Sequence, residues 1–252
     1  MNSQHWLNYY QNNRSNRPEP KWNMPSSLDP DLQQALALSL SHFQLGETGE
    51  GKFLMTEARK QAPEEVAYHS ALELFVGEEG EHARLLQRLV HRFGGKTIRH
   101  HWTHTLFRLV RRALGFTFEI QLLVTAELVG TAYYRLLCLR TRDSVLEEAC
   151  SLILKDEAPH VDFHADWFGD FQSRLLPLER AIWNVQFQSL FAVAAQVAWI
   201  DHHRCLSAIG GSREEFFREA RRECIHFLNR LERNAAKSAD RVSIDLQSVT
   251  SA

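Results

Sequence analysis

Four glutamates and two histidines stand in this chain where the faces of its helices should be apolar. The same unit occurs twice. A segment with one isolated glutamate is followed by a turn and then by a segment carrying Glu-x-x-His. Glu47 precedes Glu79 and His82, and Glu127 precedes Glu157 and His160. Read at three-four spacing, the stripes are Leu36, Leu40, Phe43, Glu47, Glu50, Leu54 and Leu72, Phe75, Glu79, His82, Leu86, Leu89 in the first half. In the second half they are Ile120, Leu123, Glu127, Gly130, Tyr134, Leu137 and Leu146, Cys150, Ile153, Glu157, His160, His164, Trp167, Phe171. The period of 3.6 makes each stripe one helix face, so the acids and histidines interrupt the core itself.

Burying four carboxylates together is prohibitive without compensation. Two divalent cations compensate to neutrality if the imidazoles are neutral. Glutamate and histidine three residues apart reach one point from consecutive turns. A third match, Glu223 to His226, lacks the rest of the unit: the preceding helical stretch has no glutamate after Glu179. It is read as chance.

The surrounding chain fits an all-α protein. From Asp31 to about Ala239 the pattern is helical nearly throughout, with no two-residue alternation. Breaks are expected near 61–63, 93–95, 114–115, 141–144, 176–178 and 210–212, with Ser144 and Ser212 as helix caps. Four of the seven prolines fall in residues 1–30, which read as an irregular arm. A bundle of four long helices is expected over 31–171, with a crossover after the second. An additional helical pair follows over 172–239, and a flexible tail over 240–252. At 252 residues and 44% apolar content, one full core is affordable. The net charge of -2 excludes polyanion binding by bulk charge. The four cysteines form no CxxC pair, there is no signal-peptide pattern, and no run of about 18 apolar residues exists. A cytoplasmic location is expected.

The doubled Glu…Glu-x-x-His pattern resembles the ferritin-like di-iron carboxylate superfamily over about residues 31–171. Gly46–Glu47–Thr48–Gly49 is similar to the G-E-x-G of demethoxyubiquinone hydroxylase. The resemblance implies a ferritin-like four-helix bundle with two additional C-terminal helices. It implies two iron ions, with a manganese–iron pair equally compatible with the ligand types. Glu79 and Glu157 would bridge the metals, Glu47 and Glu127 would bind terminally, and His82 and His160 would each hold one. Such sites activate dioxygen, so the expected activity is oxidation or hydroxylation of a small organic substrate, with electrons from an unidentified donor. A ferroxidase or iron-storage protein is the alternative.

Neighbouring residues carry open alternatives. Glu78 and Asp156 either accept the N–H of the other half's histidine or are solvated acids. Glu50 is an extra ligand, a proton donor, the true terminal ligand in place of Glu47, or none of these. His164 is a pocket-lining catalytic group or a core histidine, and Tyr134 a relay or a packed tyrosine. Pro159 should kink the fourth bundle helix at the metal. If the protein is an oxygenase, a pocket beside the site is expected, lined by residues such as Phe43, Leu54, Leu123, Tyr134, His164 and Trp167. From Ala83 to Phe118 the chain has eight Lys or Arg, four His and no acid. The region 84–112 is an anionic-carrier dock, a membrane-surface contact, or an ordinary crossover. The apolar C-terminal helices suit a covered pocket or a homodimer.

Overall fold

The computed structural model describes residues 1–49, 51–113 and 115–250, with side chains at these positions other than 108, 111–113 and 240–250. The described residues form nine α-helices and no strand. They are α1 (Ser3–Ser15), α2 (Pro30–Glu47), α3 (Lys52–Gln61), α4 (Val66–Arg92), α5 (Trp102–Ala113), α6 (Phe116–Arg140), α7 (Ser144–Ser173), α8 (Pro177–Ala208) and α9 (Arg213–Thr250).

Two packed pairs position the acidic faces, α2 with α4 and α6 with α7, and α4 also meets α7. The second pair is a tight hairpin. Its three-residue turn stops α6 at Thr141 and restarts the chain with Asp143, whose side chain accepts from the Leu146 amide at 3.0 Å. Asp143, rather than Ser144, is therefore the cap. It also accepts from Arg92 at the end of α4, at 2.9 Å, which ties the two pairs together. Ser212 does cap α9, accepting from the Glu215 amide at 3.1 Å.

α6 is the central element. Phe116–Arg140 is long and apolar enough to cross a membrane by composition, and 72% of its apolar window is buried inside the protein. α5, α8 and α9 pack against the two pairs, with α5 and α8 on α2 and α6, and α9 on α6 and α7. At Gly169 a Cβ would come within 2.7 Å of Asn234 Cβ and 3.0 Å of its backbone, so only glycine allows α7 and α9 to approach this closely.

Three expectations need correction. The first bundle helix is not continuous: it ends at Glu47 and restarts as α3. Gly51 marks the restart with φ +58, and a Cβ there would lie 2.6 Å from a methyl of Val76. The N-terminal arm is not irregular throughout, because Ser3–Ser15 is helical. The prolines all lie at 18 and beyond, while Trp6, Tyr10 and Asn13 repeat at helical spacing and are buried. α1 packs on α4, and Trp6 donates to Asp166 of α7 at 2.9 Å. Finally, the backbone of α9 continues to Thr250 where a tail was expected from 240.

If α1 is part of the core rather than an appendage, Trp6→Ala should lower the unfolding free energy by about 3 kcal/mol. Urea unfolding followed by circular dichroism measures this. An unchanged midpoint would show that α1 is not docked.

Candidate metal centre

α2, α4, α6 and α7 bring Glu47, Glu79, His82, Glu127, Glu157 and His160 to one place in the interior. Three overlapping groups each have ligand atoms within 4.8 Å of one another: Glu79, His82 and His160; Glu47, His82 and Glu157; Glu127, Glu157 and His160. His82 Nδ1 lies 3.5 Å from Glu157 and 3.7 Å from Glu79. His160 Nδ1 lies 2.9 Å from Glu79, 3.8 Å from Glu157 and 4.0 Å from Glu127. Both imidazoles are fully buried. α7 carries its pair through Pro159 as one continuous helix.

The test of metal fit is where the hydrogen-bonding capacity of these groups goes. Glu79 Oε1, His82 Nδ1, Glu157 Oε2 and His160 Nδ1 are buried with no hydrogen-bond partner, although they face one another. Such groups are costly to leave unpaired. The other ring nitrogens are fully occupied. His82 Nε2 lies 3.1 Å from Asp156 Oδ2, and His160 Nε2 lies 2.9 Å from Glu78 Oε2. Each outer carboxylate thus serves the histidine of the opposite half. With a metal present, donation from Nε2 would leave each Nδ1 lone pair aimed inward, the tautomer a metal requires. These buried glutamates and histidines fit a metal ion.

A further layer comes from the N-terminal region. Asn13 donates to Glu78 at 2.7 Å and to Asp156 at 2.8 Å, bridging the two outer carboxylates. Arg17 lies 2.7 Å from Asp156 and 3.2 Å from Glu78. Tyr10 packs beside His160, with ring centroids 6.1 Å apart. None of these three was found by sequence reading. The signal was present in the spacing of Trp6, Tyr10 and Asn13, but the prolines that follow obscured it.

The electrostatics show what the core does without a cation. Burial raises Glu47 well above the usual carboxylate range, and the charges of Glu79 and Glu127 add to this. Glu157 is raised likewise by burial and by Glu127, and Glu127 by burial and by Glu79. Glu79 is the exception. Burial pushes it up, but His160 and His82 outweigh this and hold it at about 2. His160 is opposed by burial yet raised to about 10 by Glu78 and Glu79. At neutral pH the metal-free core therefore retains protons.

The remaining sequence assignments divide. Tyr134 is buried and donates to Glu47 Oε1 at 3.2 Å, so it touches the site. His164 lies away from the cavity described below, with its ring 5.1 Å from Phe75 and 5.4 Å from Phe163. Burial lowers it to about 3, so it is a neutral core histidine rather than a pocket-lining group. Glu50 lies outside the described residues. Glu223 pairs with Arg135 at 2.8 Å and His226 is exposed, so the third motif is apart from the centre.

A cavity of about 330 Å³ opens directly onto the centre. Glu47, Glu79, Glu127 and Glu157 form part of its wall, and Phe43, Phe107, Leu123, Val193 and Val197 contribute apolar surface. α5 and α8 cover it. Of the lining residues expected from sequence, Phe43 and Leu123 are present, whereas Leu54, Tyr134, His164 and Trp167 pack elsewhere. The basic crossover is partly neutralised: Arg84 and Arg88 pair with Glu19, and Arg92 with Asp143. Comparison with protein-family models, curated proteins and solved structures gives no match.

Two outcomes follow from this geometry. His160→Ala should lose at least one metal per chain relative to the parent, and His226→Ala should lose none, as read by elemental analysis. Equal losses would mean the wrong motif has been assigned. Because metal must displace protons held by Glu47, Glu157 and His160, binding should release protons, and affinity should fall as pH is lowered. Calorimetry in buffers of different ionisation enthalpy measures the release. Binding without it would contradict the ionisation states above.

Proposed function

We propose that the protein is a ferritin-like di-iron oxidoreductase that uses dioxygen to oxidise an apolar organic molecule held in the cavity beside the metals. The observation that carries this reading is the cavity itself. The four glutamates and a largely apolar wall face the same space. Its size is in the range of small-molecule sites.

Glu47, Glu79, Glu127 and Glu157 would hold the metals together with His82 and His160. When bound, the iron pair would supply the two-electron chemistry of dioxygen activation. In a hydroxylation one oxygen atom enters the substrate and the other leaves as water, with two electrons from an external donor. The protein's own residues do the rest. Glu78 and Asp156 fix the two imidazoles, and Asn13 and Arg17 fix Glu78 and Asp156. Tyr134 orients Glu47 through its hydroxyl. Phe43, Leu123 and the covering faces of α5 and α8 hold the substrate and exclude water. The apolar side chains Ile182, Val185 and Ile200 are exposed on α8, which suits a homodimer.

The alternative, a ferroxidase or storage subunit, calls for a polar route for hydrated iron, and the apolar wall speaks against it. The two readings separate when excess Fe(II) is added in air. The oxidoreductase should retain no more iron than its ligand groups hold, and the reduced protein should consume oxygen slowly without substrate. Accumulation of a ferric mineral far beyond that stoichiometry would favour storage. No oxygen consumption by the iron-loaded, reduced protein would remove the oxidoreductase reading.

A further inference from the structure

A second cluster lies on the same cavity wall, built from none of the residues discussed so far. His42 is on α2, His101 immediately precedes α5, and Asp201 is on α8. Asp201 Oδ1 lies 3.1 Å from His42 Nδ1 and 3.4 Å from His101 Nε2, and the three ligand atoms are all within 4.8 Å of one another. An ion with tetrahedral bonds of about 2.0–2.1 Å sets its ligand atoms about 3.4 Å apart. The existing spacing is close to that.

The hydrogen-bond accounting points the same way. Thr103 Oγ1 has one proton, which it directs to Asp201 Oδ2 at 3.4 Å. If that proton stays on the Asp201 side, the 2.7 Å contact with His101 Nδ1 is one in which the ring nitrogen donates. A neutral His101 then turns a bare Nε2 lone pair towards a carboxylate oxygen, two acceptors face to face. His42 Nδ1 is buried beside the same oxygen and has no hydrogen-bond partner. The His42 and His101 imidazoles are stacked beside Asp201 with centroids 3.9 Å apart, so their inward nitrogens converge on one point. A single cation satisfies all three atoms at once.

We propose that His42, His101 and Asp201 bind a further divalent first-row transition ion, distinct from the six-residue centre. Two imidazoles and one carboxylate suit zinc, cobalt or ferrous iron better than calcium or magnesium. The three side chains leave a coordination position open. His42, Asp201 and the neighbouring His202 and Thr103 all line the cavity. His42 lies five residues before Glu47, about 7.5 Å along the axis of α2. The ion would pin the start of α5 and the C-terminal part of α8 to α2, across the cover of the cavity, and present a Lewis-acidic point to whatever occupies it. Ser39 completes the surround, 2.8 Å from His202 Nδ1 and 2.7 Å from the Tyr133 hydroxyl. His202 Nε2 lies 3.6 Å from Asp201.

This site does not depend on the six-residue centre holding iron, and its test is arranged accordingly. The metal-free 252-residue chain is titrated with Co(II), and bound cobalt is measured by elemental analysis after gel filtration and by its visible d–d absorption. The variant Glu79→Gln/Glu157→Gln, which disables the centre, should still retain one cobalt per chain. Adding His101→Ala should weaken that binding at least tenfold and remove the visible bands. His101→Ala in the otherwise unaltered chain should bind one ion fewer than the parent, a comparison that holds even if the double variant does not fold. His101 lies outside the helices, and circular dichroism checks that the fold is retained. Unchanged stoichiometry and affinity on His101→Ala would overturn the proposal, as would a folded double variant that binds no cobalt. Either would leave the cluster a hydrogen-bonded polar patch of the cavity, whatever the six-residue centre proves to hold.

Discussion

Glu47, Glu79, Glu127 and Glu157 share one interior volume, and their mutual repulsion is the constraint to which the surrounding structure responds. Moving a carboxylate out of water costs several kcal/mol even after relaxation. Four together cannot be carried by packing alone. The protons retained by Glu47 and Glu157, and the His160 imidazolium against Glu79, are what the chain uses in the absence of a cation. On the proposed reading, a pair of divalent ions would replace those protons with a stronger compensation. On this account the ring tautomers, the outer carboxylates and the docking of α1 all serve one purpose, which is to hold the inward atoms still while nothing but charge binds them together.

That purpose explains an otherwise odd feature. Glu78 and Asp156 add two more acids to an interior already overloaded with them. They are tolerated because each faces outward from the ligands onto an imidazole N–H, and because Asn13 and Arg17 reach both. The N-terminal segment therefore closes the outer side of the centre, while α5 and α8 close the cavity side. The two closures are of opposite character. One is a charged, hydrogen-bonded lock. The other is an apolar cover over a space that can hold an organic molecule.

Much of this was legible in the sequence because the signals are periodic and local. The interruption of four apolar stripes by Glu and His identified all six inward residues, and the residue preceding each Glu-x-x-His correctly suggested a partner for the opposite histidine. What escaped depended on tertiary contact. The break after Glu47 is set by Gly51 against Val76, a contact between segments that no local pattern reports. α1 was hidden by the prolines that follow it, and with it went Asn13 and Arg17. His164 shares the face of Glu157 and His160, but one turn further along α7 that face meets Phe75 and Phe163 rather than the cavity. His42, His101 and Asp201 come from three elements far apart in the chain, with no motif to announce them.

The central claim is that the six inward residues hold a pair of metals. Crystals of the iron-loaded protein, measured on both sides of the iron absorption edge, test it most directly. The account predicts two anomalous peaks among Glu47, Glu79, His82, Glu127, Glu157 and His160, separated by about 3.5–4 Å as in other two-metal sites. Finding no peak there, or a single peak with one of the histidines left unligated, would contradict it.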